Sequence, residues 1–150
     1  MPFSTQSYDA HSHLIVPSIS VPAPGNDIIH PLSALHVYRL EYLSFVFTTD
    51  ANVANRYLTV ILHDGATALV AWSSHFAQAA SQSFLYTFGN GGSLLTAAAA
   101  NPPYKYIPCG SNIRVPFVQS IQTVTTGIQV GDTFTAIRCA ISRWIMPSQW

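Results

Sequence analysis

The sequence predicts an all-β protein, an antiparallel β-sandwich that is jelly-roll-like, with about eight strands and an extended N-terminal arm. Two observations favour this class. Apolar residues alternate with other residues in several short segments, as in strands that bury one face. Turn signals rich in Gly, Pro, Asn and Asp separate these segments about every 8–12 residues. The length of 150 residues suits a single domain with a substantial core.

Residues 1–34 are predicted to form the arm, and residues 35–150 the β-sandwich domain. Prolines recur in the first segment among Ser, His and single aliphatic residues, at Pro2, Pro17, Pro22, Pro24 and Pro31. Each proline fixes φ and removes a backbone donor. We therefore expect the arm to run extended across a neighbouring subunit instead of folding onto its own domain.

The first long strand is predicted over residues 37–48, where Leu43, Phe45 and Phe47 occupy every second position and face the core.

A hairpin is predicted next, from strands over residues 57–62 and 66–72. His63, Asp64 and Gly65 lie between them, and an Asp-Gly pair is a strong signal for a tight turn because glycine tolerates positive φ. We interpret these three residues as a structural corner and not as a metal or catalytic site.

Residues 73–82 have some helical character but are short enough to be a loop, and residues 83–88 return to a strand pattern. Residues 94–100 are ambiguous between strand and helix, and the Asn-Pro-Pro sequence that follows ends either one.

Three further strands are predicted over residues 112–118, 121–126 and 133–145, with a structural turn at Gly131 and Asp132 before the last one. The last strand is predicted to alternate, with Ile137, Cys139, Ile141 and Ile145 on one face and Ala136, Arg138, Ala140, Ser142 and Trp144 on the other.

Charged residues are scarce, which limits the classes of partner. Asp, Glu, Lys and Arg make up 8% of the chain, against about 25% in an ordinary protein, and the net charge is zero. Much of the surface is therefore expected to be covered by other protein. The bases are scattered singly, which argues against nucleic acid. No apolar run of about 18 residues is present and the N-terminus lacks the pattern of a signal peptide, so no membrane contact is expected.

Cys109 and Cys139 are the two cysteines, a number that suits a reduced compartment better than a disulfide framework, although a single bridge between them is the alternative.

Candidate chemical groups are few. Asp9, His11 and His13 could bind a metal from one side of an extended chain, but a solvated polar arm explains them more simply. Ser74 lies beside His75, but no Gly-x-Ser-x-Gly elbow is present. The six carboxylates fall mostly at turns, where Asp accepts backbone hydrogen bonds. We expect no enzyme activity, no metal and no cofactor.

A family resemblance rests on the order of RLEYLSFVFTTDANVANRYLTVILHDG, the Tyr-x-Phe-Gly-x-Gly region near Tyr86, IPCGSNIRV and TTGIQVGDTFTAIRCAISRWI. In this order the chain resembles small jelly-roll-like β-sandwich structural proteins of tailed bacteriophages, the head decoration or cement proteins, over roughly residues 39–145. The chain departs from their pattern in its Pro-rich arm and in Cys109.

The resemblance implies a virion structural protein, assembled in the host cytoplasm, that binds and stabilises the outer surface of a phage head. Its partners would be the major capsid protein or another virion protein and further copies of itself, as a homotrimer. The loops around residues 73–82 and 101–106 are available for contact, and the candidate contact residues there are Ser74, His75, Gln78, Tyr104 and Tyr106.

The alternative is a carbohydrate-binding β-sandwich module in a tail or receptor-binding component. Its sugar-stacking candidates are Trp72, Tyr86, Tyr104, Tyr106, Trp144 and Trp150.

Overall fold

The computed structural model describes residues 12–90, 102–110 and 112–145, and the regular structure in these ranges is entirely β. The strands are β1 (His13–Ile15), β2 (Ile29–Pro31), β3 (His36–Thr48), β4 (Tyr57–His63), β5 (Ala68–Ser73), β6 (Ser83–Gly89), β7 (Tyr104–Pro108), β8 (Val115–Pro116), β9 (Ser120–Thr126) and β10 (Thr133–Ile145). Their arrangement confirms the predicted β-sandwich.

The strands form two sheets with the nested pairing of a jelly roll. The six-stranded sheet has the order β1-β10-β3-β6-β7, with β8 paired to β3, and the four-stranded sheet has the order β2-β9-β4-β5. The pairs β1·β10, β2·β9, β3·β6 and β4·β5 are all antiparallel, and each pair lies within the preceding one along the sequence, as in one long hairpin. The additional pairs β10·β3 and β9·β4 roll this hairpin into the eight-stranded, two-sheet arrangement.

The core lies between the sheets and is rich in aromatic rings. Leu43, Phe45 and Phe47 of β3 are fully buried, as their alternation predicts. Phe134 of β10 packs against the rings of Phe45 and Phe47, with centroid separations of 5.2 and 4.7 Å. These contacts bring the first and last long strands together, so the core depends on residues distant in the sequence.

The expectation that the N-terminal arm stays off its own domain is wrong for residues 12–34. β1 pairs with β10 and β2 pairs with β9, and Ile19 and Ile28 are buried in the core. Asp27 fixes this segment further, because its Oδ1 accepts hydrogen bonds from the hydroxyls of Thr123 and Thr125 at 2.8 and 2.6 Å. The segment is extended, but short strands between its prolines complete both sheets.

Other differences arise where local irregularities interrupt the predicted pattern. Residues 112–118 contain only the two-residue β8, because Asn112 and Phe117 adopt positive φ values of 64° and 62°. β7 begins just after the Pro pair and runs parallel to β6, so the six-stranded sheet is mixed. Residues 73–82 form no helix. The ambiguous residues 94–100 lie outside the described ranges.

In β10 the predicted alternation does not extend to the end of the strand: Cys139 and Ile141 are buried, but Ile145 is 70% exposed. Ile137 is half-buried against the core. Register shifts interrupt the pairing of β10 with β3, so the simple alternation does not extend along the whole strand.

Candidate functional site

The His63–Asp64–Gly65 corner lies in the β4–β5 hairpin that the sequence predicts. Its loop is longer than a two-residue turn, since β5 begins at Ala68 and the Asp64 N–H donates to the carbonyl of Thr67 at 3.1 Å. The Asp64 carboxylate accepts from the main-chain N–H groups of Thr67 and Ala66 at 2.7 and 2.8 Å, and these bonds hold its pKa below the usual value. Gly65 has a φ of 96°. Each of these contacts is accounted for by the turn.

Arg56 is the centre of a buried ionic network that the sequence reasoning missed. Its Nε and Nη2 donate to the two carboxylate oxygens of Asp132 at 2.9 Å each, and Nη2 also donates to Asp50 at 2.6 Å. Nη1 donates to the carbonyls of Asn52 and Ala54 at 2.9 and 2.7 Å. All five N–H groups of the guanidinium therefore have acceptors, although the side chain is fully buried.

The predicted turn at Gly131 and Asp132 supplies the carboxylate that faces Arg56 in this network. Asp132 also accepts from the main-chain N–H groups of Asp50 and Gln129 at 2.9 and 2.8 Å. A Cβ on Gly131 would lie 2.8 Å from the side chain of Asp50, so the corner has room only for glycine. The network thus ties the β3–β4 loop to the corner before β10, and its role is structural.

The charges of this network explain the pKa directions of its members. Burial alone would raise the pKa of Asp50, but hydrogen bonds from Asn52 and Gly131 and the charge of Arg56 outweigh it and hold that pKa below the usual value. The hydrogen bond to Asp132 raises the pKa of Arg56. Both shifts favour the ionised forms.

Two of the five predicted contact residues are buried within their own subunit, and for them the contact prediction is wrong. Gln78 is fully buried: its Nε2 donates to the Phe47 carbonyl at 3.0 Å, and the Tyr86 hydroxyl donates to its Oε1 at 2.9 Å. Ser74 is 3% exposed, and its N–H donates to Leu58. The hydrogen bonds of Gln78 and Ser74 thus hold the loop after β5 against its own domain.

The other three predicted contact residues reach the surface. His75 is exposed with a φ of 54°, and Tyr104 and Tyr106 are half-buried on β7. The two tyrosines share the outer face of the six-stranded sheet with Tyr42, which is 37% exposed.

The aromatic residues proposed for sugar stacking are divided between core and surface. Tyr86 is fully buried, and burial raises its pKa to about 12. Trp144 is 3% exposed, because the guanidinium groups of Arg39 and Arg114 lie over its ring at 5.5 and 4.6 Å. Trp72 is half-buried against the core, and Trp150 lies outside the described residues.

The described residues contain no group of three or more His, Cys, Asp or Glu side chains that could hold a metal ion. His13 lies exposed on β1, whereas Asp9 and His11 lie outside those residues.

Ser74, the serine that precedes His75, has its Oγ 3.4 Å from the main-chain nitrogen of Phe76. Cys109 and Cys139 are free and buried, and burial raises the pKa of each thiol to about 12. No described helix is long and apolar enough to cross a membrane.

The outer face of the four-stranded sheet is the most unusual surface of the described chain. We define this outer face by the residues that the strand pairing places on the side of the sheet away from the core: Ile29, Pro31, Tyr57, Thr59, Ile61, His63, Ala71, Ser73, Ser120, Gln122, Val124 and Thr126. None of them is Asp, Glu, Lys or Arg. Ile61 and Ser120 are nevertheless buried. Ile29, Tyr57 and Val124 are 67%, 44% and 44% exposed. Half of these side chains are polar but none is a carboxylate, lysine or arginine, and a depletion of charged residues is the composition of a contact surface.

Comparisons of the chain with protein-family models, with curated proteins and with solved structures found no match.

Proposed function

We propose that this chain is a virion structural protein, a capsid decoration protein that binds and stabilises the outer surface of a phage head. The observation that carries the proposal is the uncharged outer face of the four-stranded sheet. Apolar and Ser/Thr side chains can pack against a preformed protein surface without the desolvation cost of burying ions. The jelly-roll topology supports the proposal, because viral shell proteins are among those built this way.

The size of the outer face sets a limit on what it can do alone. The four strands β2, β9, β4 and β5 contain 3, 7, 7 and 6 residues. At about 3.3 Å per residue and a spacing of about 4.8 Å, they project an area of roughly 360 Å². A standard stable interface buries about 800 Å² on each partner. The outer face would therefore be the centre of a shell contact that also uses neighbouring loops, or that is repeated in an oligomer. A homotrimer, which the family resemblance favours, would present the face three times and add avidity.

The experiment is to locate the chain in virions. Particles produced by a strain carrying the gene are separated into heads and tails, and the chain is quantified in each fraction by mass spectrometry. The proposal predicts the chain in the head fraction, with heads from a deletion strain unfolding at a lower temperature. Recovery in the tail fraction, or only as free protein, would contradict it.

A carbohydrate-binding module is the second candidate, and Tyr42, Tyr104 and Tyr106 on the outer face of the six-stranded sheet favour it. Exposed aromatic rings provide stacking surfaces for apolar ring faces. A glycan array distinguishes the two functions. Saturable binding that Tyr104→Ala removes would support the module, and absence of binding to every glycan would leave the decoration protein.

A further inference from the structure

Strand β5 differs from the other strands at the edges of the two sheets. The edge strands β1 and β2 contain 3 residues each, and β7 carries Lys105 and Pro108. Shortness, lysine and proline are the usual features that keep an edge from pairing with another chain. β5, in contrast, has 6 residues, ALVAWS, with no charge, proline or glycine. It contains one irregularity, at Leu69, where the register with β4 shifts.

Among the described residues, the side of β5 away from β4 pairs with no other strand. The N–H of Ser74 donates to the Leu58 carbonyl of β4 at 2.8 Å, which identifies this opposed pair as a hydrogen-bonded one. Hydrogen-bonded and non-bonded pairs alternate along an antiparallel ladder, so the main-chain groups of Ala71 and Ser73 point away from β4. In the described part of the chain, β4 is the one strand that pairs with β5.

We propose that β5 pairs antiparallel with β5 of a second copy of this chain, about a twofold axis at Ala71. In this register Ala71 faces its own copy, and Leu69 faces Ser73 of the other copy. The strand positions that carry the free main-chain groups then meet each other, as an antiparallel ladder requires. The two four-stranded sheets would join into one continuous sheet.

A second copy fits this edge for two physical reasons. Twofold pairing brings β5 against the β5 of the other copy, with Ala71 opposite itself, and β5 has no charge that would repel its copy. On the core side, the register sets Val70 opposite Trp72 of the other copy. Both side chains are only half-buried in one subunit, so pairing would cover them with an aromatic–aliphatic contact. The contact is independent of shell binding and goes beyond the proposed function.

Charge-swap variants at Ala71 test the proposal, because an axis through this residue brings any new charge against itself. Ala71→Lys and Ala71→Glu are purified separately, and their masses are compared with the wild-type mass by light scattering. Each variant alone is expected to have half the mass of the wild-type assembly, and an equimolar mixture of the two is expected to restore it. The twofold difference in mass is expected whether or not a separate threefold contact is also present. Thr135→Lys and Thr135→Glu, at an exposed position of β10, serve as matched controls that keep the wild-type mass.

Amide hydrogen exchange of the wild-type protein gives a second measurement that needs no substitution. The N–H groups of Ala71 and Ser73 should be protected in the concentrated protein and exchange faster on dilution. A monomeric wild type, single variants that keep the full mass, or dilution-independent exchange at both amides would overturn the proposal.

Discussion

Replacing Asp132 with Asn should destabilise the protein far more than a surface change, because it removes the fully buried carboxylate that faces Arg56 and leaves Asp50 as the remaining charged partner. The side chains of both residues are fully buried, and two hydrogen bonds of 2.9 Å join them. Removing one partner of a buried ion pair costs about 3–5 kcal/mol, since the other charge stays out of water uncompensated. A domain is stable by about 5–15 kcal/mol in total, so this single change would remove about a fifth of the stability or more.

The assay is equilibrium unfolding in urea followed by tryptophan fluorescence. With an m-value of about 2 kcal/mol/M, the midpoint should fall by roughly 2 M. Asp50→Asn is the matched control: its side chain is 16% exposed, and it holds Arg56 through one contact, so a smaller loss is expected. The double variant Arg56→Met/Asp132→Leu should recover part of the loss by removing both charges. A cost of under about 1 kcal/mol for Asp132→Asn would refute the reasoning.

Two carboxylates with lowered pKa values, one in the Arg56 network and one in the β4–β5 corner, predict how stability depends on pH. The pKa of Asp50 is held below its ordinary value of 3.8, and so is that of Asp64. Each carboxylate therefore contributes stability that is fully present above the ordinary pKa and is lost as the pH falls through the lower value of the folded state. The urea midpoint should decline as the pH is lowered below about 4, and Asp64→Asn should make the decline shallower.

Three other outcomes follow from the structure. Gly127→Ala should destabilise the protein by more than about 1 kcal/mol in urea unfolding, because φ is 76° and a Cβ would lie 2.5 Å from a main-chain oxygen. Gly65→Ala is the control and should cost less, because its Cβ would meet only a movable side chain. The thiols of Cys109 and Cys139 should react with a thiol reagent only after unfolding; rapid labelling of the native protein would contradict their burial. Deletion of residues 1–30 should abolish the cooperative transition, since it removes β1 and two buried isoleucines; an unchanged midpoint would show that the segment is dispensable.

The long strands were predictable because their information is local. In β3 the alternation of Leu43, Phe45 and Phe47 has period two, and each of these residues is buried. The hairpin between β4 and β5 was predictable for a similar reason, since the Asp-Gly signal lies directly between two apolar runs. The unbroken alternation predicted for β10 was wrong, because its register shifts depend on the partner strand as well as on its own sequence.

The strands β1 and β2 could not be predicted from local pattern, because three-residue strands between prolines have no measurable period. Asp27 lies in this segment, but its hydrogen-bond partners Thr123 and Thr125 are far along the chain. Arg56 and Asp132 posed the same difficulty: they are 76 residues apart, and only the folded topology shows that they meet. The composition predicted a charge-poor surface covered by other protein, but it did not predict where on the domain that surface lies. Strand order decides which side chains share a face.

Binding of single-charge variants to phage heads tests the central claim most directly. Heads that lack the chain are incubated with wild type, Val124→Lys or Thr135→Lys, and the bound fraction is measured after sedimentation. Val124 lies on the outer face of the four-stranded sheet and is 44% exposed, whereas Thr135 is exposed on the other sheet. A lysine buried in a contact loses hydration without gaining a partner, so Val124→Lys should lose binding while Thr135→Lys binds like the wild type. Equal binding of Val124→Lys and the wild type would contradict the assignment of this face to the shell.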